Sequence, residues 1–391
     1  MLICHDQRNG QGCGHQSRNS MRFCTKCGSP LQYALHVLDP GDQVGQYRIK
    51  MIVGYGGFGA VYEAESLTNR RSVALKETFD PASIQSFQKE FAILHSIRHP
   101  NLPFYEDLFE ANGNGYLVME YVPGQSLEEV LQKRQGPLLE TQVLGYTIQL
   151  CDVLSFLHGR TPWILHRDIK PANIRLTPEG VIKLVDFGLI RQGPTATRST
   201  HIGLTPTYAP IEQYGAASTD PRTDIYSLGA TLYHLLTGQE PLPATARVAS
   251  TVDPLQPPHM LNPQLSRSTS DAILKAMAIT QDKRFSSAAE FKQVLLQAQS
   301  AQSAFHTQLV TPARAKRTTQ QAQVAYPSMT TIQSVPISIT PTCKNCFQVQ
   351  PPDEIYCQRC LAPIQDLVPC RACRKPSPKN AKFCPNCGKR S

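Results

Sequence analysis

His166-Arg167-Asp168-Ile169-Lys170-Pro171-Ala172-Asn173 sets a carboxylate, an ammonium and a carboxamide within one six-residue span, from Asp168 to Asn173. Asp186-Phe187-Gly188 follows at a short distance and adds a second acid. Upstream, Val73-Ala74-Leu75-Lys76 ends a strand-like run on a lysine. Glu90 falls in a segment from Ala82 to Ile97 where Ile84, Phe87, Phe91 and Leu94 recur on one helical face. Further upstream, Tyr47 to Ala64 alternates like a strand, a turn and a strand, and Gly54, Gly56, Gly59 and Val61 fit GxGxxGxV. Because these glycines lie between two strands rather than before a helix, a dinucleotide-binding fold is disfavoured. Glycine there lets backbone amides approach phosphate oxygens. Singly, each residue reads as structure: a solvated lysine, a turn aspartate, a core histidine. In this order they are the groups that handling a polyphosphate and a divalent cation requires.

On these motifs, residues 47–297 resemble the protein kinase family, in particular bacterial kinases of the eukaryotic (Hanks) type, whose look Tyr208-Ala209-Pro210-Ile211-Glu212-Gln213-Tyr214 shares. The resemblance implies an α+β, bilobal fold with ATP between the lobes. By it, the loop Gly54-Tyr55-Gly56-Gly57-Phe58-Gly59 covers the phosphates, with Val61 and Ala74 beside the nucleotide. Lys76 holds the α and β phosphates and pairs with Glu90, Asn173 and Asp186 bind magnesium, and Asp168 accepts the attacking hydroxyl's proton. Lys170 marks the Ser/Thr-directed form of the loop. Met119, Glu120 and Val122 fall in the hinge that reads adenine, with Met119 as gatekeeper. The resemblance also assigns Asp224 to the backbone near His166 and Arg167, Arg284 to Glu212, Thr205 to Asp168 and Lys170, and His166 to packing near Phe187. The family's Ala-Pro-Glu reads Pro210-Ile211-Glu212 here, so the glutamate is kept and the proline shifted out. Thr197, Ser199 and Thr200 are the expected phosphorylation sites of the activation loop, facing Arg167.

The cysteines carry a separate pattern. Cys343, Cys346, Cys357 and Cys360, then Cys370, Cys373, Cys384 and Cys387, repeat CxxC, ten residues, CxxC at an offset of 27. Cys4, Cys13, Cys24 and Cys27 form a partial third copy, with His5 and His15 as alternative ligands. Two facing CxxC knuckles close a tetrahedron of thiolates around zinc, leaving no open position, so structural zinc ribbons are expected. Gly28 and Gly388, after the last cysteine of their copies, suit a left-handed turn. Cys151, among apolar neighbours on a predicted helix, reads as a buried small hydrophobe.

With 391 residues and 41% hydrophobic composition, the chain is long enough for more than one folded unit. The expected division is an N-terminal ribbon (1–28), a Pro- and Gly-containing linker (29–46), the 47–297 domain, a Gln/Ala/Ser/Thr-rich flexible linker (298–341) and a tandem ribbon (342–391). Gln142 to His158 and Thr223 to Thr237 are expected helices, stopped by Gly159 and Gly238. No run approaches 18 uninterrupted apolar residues and the first residues lack a signal-peptide core, so a soluble, cytoplasmic protein without a membrane contact is expected. The net charge of +9 equals that of residues 301–391, with 12 Lys/Arg against 3 Asp/Glu. Each zinc held by four thiolates contributes −2, which lowers that tail to about +5. With few aromatics interleaved among the basic residues, ribbon docking to protein partners or regulation is favoured over nucleic acid. The expected function is a Ser/Thr protein kinase using ATP, magnesium and structural zinc on protein substrates. The rivals are a kinase-fold scaffold and a nucleic-acid-associated regulator.

Overall fold

The computed structural model describes residues 1–5, 12–56, 59–79, 84–187, 191–192, 205–215, 218–308, 367–370, 372–373, 376–378 and 387–389. Two compact units divide the chain: Met1–Pro81 with Glu110–Tyr116 and Arg314–Ser391, and Ala82–Phe109 with Leu117–Ala313.

In the first unit, strands β1 (Leu2–Ile3), β2 (Gln16–Ser17) and β3 (Leu35–His36) form a small sheet in the order β2-β1-β3. It closes over a core of Leu2, Cys4, Cys24, Leu31 and Ala34. Residues 29–46, expected as a linker, thus carry β3 and also β4 (Gln43–Val44), and Leu31, Leu35 and Val44 are buried. The apolar residues spaced between the prolines and glycines have somewhere to pack, which composition alone does not reveal.

The main strands are β5 (Tyr47–Gly56), β6 (Gly59–Ser66) and β7 (Ser72–Thr78), antiparallel throughout. In β6 every second residue (Ala60, Tyr62, Ala64, Ser66) is buried, the period expected of a strand with one covered face. β8 (Tyr105–Ala111) and β9 (Asn114–Glu120) contribute their hairpin tip, 110–116, to this unit. Buried Glu77 on β7 is satisfied by Tyr116 (2.6 Å), Asn114 (2.8 Å) and Tyr62 (2.5 Å).

Gly59 is where β6 leaves the turn, and a Cβ there would lie 1.9 Å from the Glu77 carbonyl oxygen. Gly54, one strand away, has open space where its Cβ would stand. Gly59→Ala is therefore expected to destabilise by about 1–3 kcal/mol through overpacking, and Gly54→Ala by about 0.5 kcal/mol or less. Urea unfolding of the two variants side by side checks this, and equal midpoints would refute it.

The second unit is mainly helical. Helix α1 (Ile84–Leu94) carries the four apolar residues Ile84, Phe87, Phe91 and Leu94 and ends before Ile97, the end of the expected segment. Helix α2 (Leu127–Arg134) opens on a reciprocal cap: Ser126 Oγ accepts the Glu129 N–H at 3.1 Å and Glu129 accepts the Ser126 N–H at 2.7 Å. Helices α3 (Glu140–His158) and α4 (Pro221–Thr237) supply the core, and α4 is buried on nearly every side. Such a helix must settle its polar side chains internally. Thr231 and Thr237 do so by donating to the Ser227 and Tyr233 carbonyls at 2.8 and 2.7 Å. Gly238 ends α4 at φ 72°, whereas Gly159 ends α3 without leaving the right-handed region. After the short α5 (Ala244–Val248) and α6 (Pro258–Leu261), α7 (Arg267–Ala276) crosses α4 where Gly229 admits Ala276 and Met277. Helix α8 (Ala288–Gln308) runs eleven residues past 297, the expected domain end. Among the described residues no helix is long and apolar enough to cross a membrane.

Short strands frame the motif loops of this unit: β10 (Gln125–Ser126), β11 (Ile164–Leu165), β12 (Ile174–Leu176) and β13 (Ile182–Leu184). β12 and β13 form a hairpin in which Ile174 faces Leu184.

Candidate active site

The loop 166–173 leaves β11 and is shaped by one buried carboxylate. Asp224, in the first turn of α4, accepts the backbone N–H groups of His166 and Arg167 at 3.0 and 2.8 Å and meets His158 Nε2 at 2.9 Å. Burial by itself would raise the Asp224 carboxyl, but the His158 hydrogen bond and charge, with His166 and the Arg167 amide, hold it below its ordinary value. Arg167 and Asp186 both sit at positive φ, 67° and 62°. Such backbone costs of order 1–3 kcal/mol per residue and persists only where the surroundings over-determine it. At Arg167 the carbonyl is also held, by Gln213 Nε2 at 2.9 Å. His166 is fully buried with its ring 4.4 Å from that of Phe187, and burial pushes its pKa down, so it stays neutral and architectural.

The effect of that frame is to fix Asp168. Its carboxylate accepts from Thr205 Oγ1 at 3.0 Å and from Asn173 Nδ2 at 2.9 Å, and Lys170 Nζ stands 2.9 Å away. Lys170 also donates to Thr205 Oγ1 at 2.7 Å, closing a ring of contacts. The Asn173 amide nitrogen donates again to the Asp168 carbonyl at 2.9 Å. With both amide hydrogens committed, the Asn173 carboxamide oxygen is the atom left for a cation. The Val185 N–H donates to the Asn173 carbonyl at 2.9 Å, so Asn173 and the exposed Asp186 leave the same end of the β12–β13 hairpin. Oxygen donors of this kind fit magnesium, which takes hard ligands and keeps several waters.

Beside this, Glu212 and Arg284 form a buried bidentate pair at 2.6 and 3.0 Å. Arg284 further donates to the carbonyls of Ala278, Ile279 and Arg222, and Thr223 donates to Glu212 at 3.0 Å. Met119 and Val122 are buried on and just after β9. Sequence reasoning missed what braces this segment. Lys183 pairs with Glu120 at 2.8 Å, and Arg175 Nε donates to the Val122 carbonyl at 3.0 Å. Neither residue lies in a motif, and a carbonyl acceptor has no sequence identity to search for. Glu90 is buried on α1, with the Tyr105 hydroxyl 3.5 Å from its carboxylate.

In the first unit Gly54 faces Val61 and Val61 faces Lys76 across β5, β6 and β7, so the three stand in one row. Ala74, two residues before Lys76, shares its face by strand alternation. A Cβ at Gly54 or Gly56 would meet nothing within 4 Å, leaving the backbone open to a phosphate. Burial, then the charges of Cys13 and Cys4, raise the Tyr55 hydroxyl above its usual range. Gly57, Phe58, Gly188, Thr197, Ser199 and Thr200 lie outside the described residues.

The N-terminal cysteine copy comes together in space. The thiol sulfurs of Cys4, Cys13, Cys24 and Cys27 all lie within 4.8 Å of one another, with Cys4–Cys27 and Cys13–Cys24 at 3.5 Å. Four sulfurs at zinc–thiolate bond lengths stand about 3.8 Å apart, so the set fits the ion. His15, the alternative ligand, meets Thr25 Oγ1 at 3.0 Å, and His5 is not in the cluster. Burial raises the Cys4 thiol to about 11; at Cys27 desolvation also pushes upward, but hydrogen bonds with Ser29, Cys13 and Cys4 together outweigh it and bring the thiol down to about 6. Cys370, Cys373 and Cys387 make a second cluster, with Cys370 and Cys387 3.7 Å apart, and strand 367–369 pairs with 376–378. Gly28 and Gly388 take φ 78° and 70°. Cys343, Cys346, Cys357, Cys360 and Cys384 lie outside the described residues. Cys151 is fully buried, and burial pushes its thiol up to about 12.

Known proteins share both patterns. The protein kinase domain family matches residues 47–327, and the double zinc ribbon family matches residues 343–388. The chain is 31% identical over 274 residues to a serine/threonine-protein kinase PknB of Mycobacterium leprae, covering 66% of this chain and 43% of that protein. To the PknB of Mycolicibacterium smegmatis it is 32% identical over 275 residues, with coverage of 66% and 43%. A probable serine/threonine-protein kinase of Streptomyces coelicolor, SCO3848, is 33% identical over 271 residues, covering 65% and 40%. The match thus spans less than half the length of these relatives.

Proposed function

The chain belongs to the protein kinase family, and from that premise we propose that it transfers the γ-phosphoryl group of ATP to Ser and Thr hydroxyls of protein substrates in the cytoplasm. The observation that carries this reading is the grip of Thr205, Asn173 and Lys170 on the Asp168 carboxylate. Asp168, so aimed, accepts the hydroxyl proton as the oxygen attacks. Lys170, held between Asp168 and Thr205, places its positive charge where the transferred group passes. Lys76 and the open backbone of Gly54 and Gly56 bind the phosphates, with Glu90 as the partner of Lys76, and Met119, Glu120 and Val122 line the adenine end. Asn173 and Asp186 would hold magnesium, which would neutralise charge on the phosphate oxygens. The phosphoryl transition state is loose, so catalysis is mostly such positioned charge.

In this reading residues 47–297 are the catalytic domain, with α8 continuing to Gln308. The cysteine copies at 1–28 and 342–391 hold structural zinc and dock protein partners, and 298–341 links the tail copies to the rest. Thr197, Ser199 and Thr200 are its autophosphorylation sites. The test is site-mapped mass spectrometry of the purified chain after incubation with magnesium and ATP. Phosphate on loop hydroxyls supports the reading; bound ATP without any phosphate transfer, with or without added protein substrates, points to the scaffold instead.

A further inference from the structure

The phosphate-binding hairpin does not end in open solvent on its Tyr55 side. The Tyr55 hydroxyl donates to the carbonyl oxygen of Gly14 at 2.8 Å, and Gly14 is the residue directly after the ligand Cys13. Gly14 is fitted to this contact: it takes φ 68°, and a Cβ on it would already lie 3.0 Å from the Tyr55 oxygen. From the other side the same peptide is tied to the cysteine cluster, since the Gly14 N–H donates to the Cys4 carbonyl at 3.0 Å and the Cys4 N–H to His15 at 2.9 Å. One short knuckle therefore connects two of the four thiol ligands to the tip of β5.

A second tie fixes the base of the ribbon. The Leu38 N–H donates to the Tyr62 hydroxyl at 3.2 Å, and Tyr62 in turn donates to Glu77, the neighbour of Lys76. The terminal ammonium of Met1 holds the same strap through the Val37 carbonyl and Asp39, at 2.7 and 3.0 Å. Tyr62 pairs with Ile52, near the middle of the hairpin, and Tyr55 lies near its tip. The strap's contacts do not involve the metal ligands, whereas Cys13, directly before Gly14, supplies one of the four clustered sulfurs.

We propose that the N-terminal cysteine ribbon is a positioning element for nucleotide binding: with zinc on its four thiols, the Cys13–Gly14 knuckle holds Tyr55 and preorganises the β5–β6 hairpin for the phosphates. Tyr55 is the positioning residue, acting through the backbone of the hairpin. Zinc loss releases the knuckle, the hairpin must order itself on binding, and nucleotide affinity falls. The inference rests on reading β5–β6 as the nucleotide-binding hairpin.

The experiment is a two-by-two comparison on the full chain: wild type and Tyr55→Phe, each zinc-loaded and each treated with a zinc-selective chelator in excess magnesium. The readouts are the Kd of a non-hydrolysable ATP analogue by calorimetry and the zinc released, measured colorimetrically. Wild type is expected to lose affinity about fivefold on chelation, the scale of one hydrogen bond. Zinc-loaded Tyr55→Phe is expected to bind about fivefold more weakly than zinc-loaded wild type, and chelation is expected to add nothing further to it. Equal affinity in all four samples, or an equal loss in both proteins on chelation, overturns the inference and leaves the kinase reading standing. If zinc-loaded wild type binds no nucleotide, the kinase reading itself fails and the inference with it. Because the phenol is 39% exposed and only its oxygen is removed, Tyr55→Phe tests the contact without a cavity.

Discussion

Asp168→Asn is expected to lower the rate of phosphoryl transfer to a protein or peptide substrate by about two to four orders of magnitude, the range for removing a positioned general base. The side chain keeps its size, so the loss comes from chemistry and charge. Asn can still accept from Thr205, but its amide nitrogen would then face the Asn173 Nδ2 and Lys170 Nζ donors that now point at the carboxylate. Two donors left facing a third add a local destabilisation of about 1–3 kcal/mol. Nucleotide affinity should change little, because Asp168 itself is assigned no phosphate or metal contact. Single-turnover rates and nucleotide titrations on the same preparation separate the two effects. A variant retaining more than a tenth of the wild-type rate would show that Asp168 is not the proton acceptor.

Arg284→Ala is expected to cost about 3–5 kcal/mol of stability, because it leaves Glu212 ionised and buried without its partner. The pair is buried on both sides, with side-chain exposures of 0% and 3%, so solvent does not screen it. For a domain of this size the loss corresponds to a fall in melting temperature on the order of 10 °C. Arg284→Lys should be intermediate, since one ammonium cannot replace a guanidinium that reaches both Glu212 oxygens and three carbonyls. Replacing both partners by methionine should recover much of the loss, because no lone buried charge remains. The effect reaches the 166–173 loop as well: Glu212 lies in the turn whose Gln213 holds the Arg167 carbonyl. Thermal melts of the three variants decide this, and a loss below about 1 kcal/mol in Arg284→Ala would contradict it.

The folding of the centre was legible because its signals are local. A strand-turn-strand with glycines at the turn, an apolar face in Ile84, Phe87, Phe91 and Leu94, and acid-rich loops between strands each need only a few neighbouring residues to be read. The cysteine pairs are legible for the same reason: a CxxC knuckle is its own local geometry, and the sulfurs of Cys4, Cys13, Cys24 and Cys27 gather as the spacing implies. The segment 29–46 reads as a linker because Pro30, Pro40, Gly41 and Gly45 interrupt it. Its apolar residues, Leu31 and Leu35 among them, find a core only when β1 and β3 come together.

By itself, then, the sequence determined the family, the order of the reactive groups and the cysteine repeats, since each is written in local motifs. Only the tertiary structure decided what orients those groups: Thr205 on Asp168, Arg175 on the Val122 carbonyl, Lys183 on Glu120, and the Tyr55 hydroxyl on Gly14. These contacts join residues 37 to 63 positions apart, and two of the four end on backbone carbonyls. A carbonyl is present at every residue and leaves no mark in the sequence, so its use becomes visible only when the fold brings a donor to it.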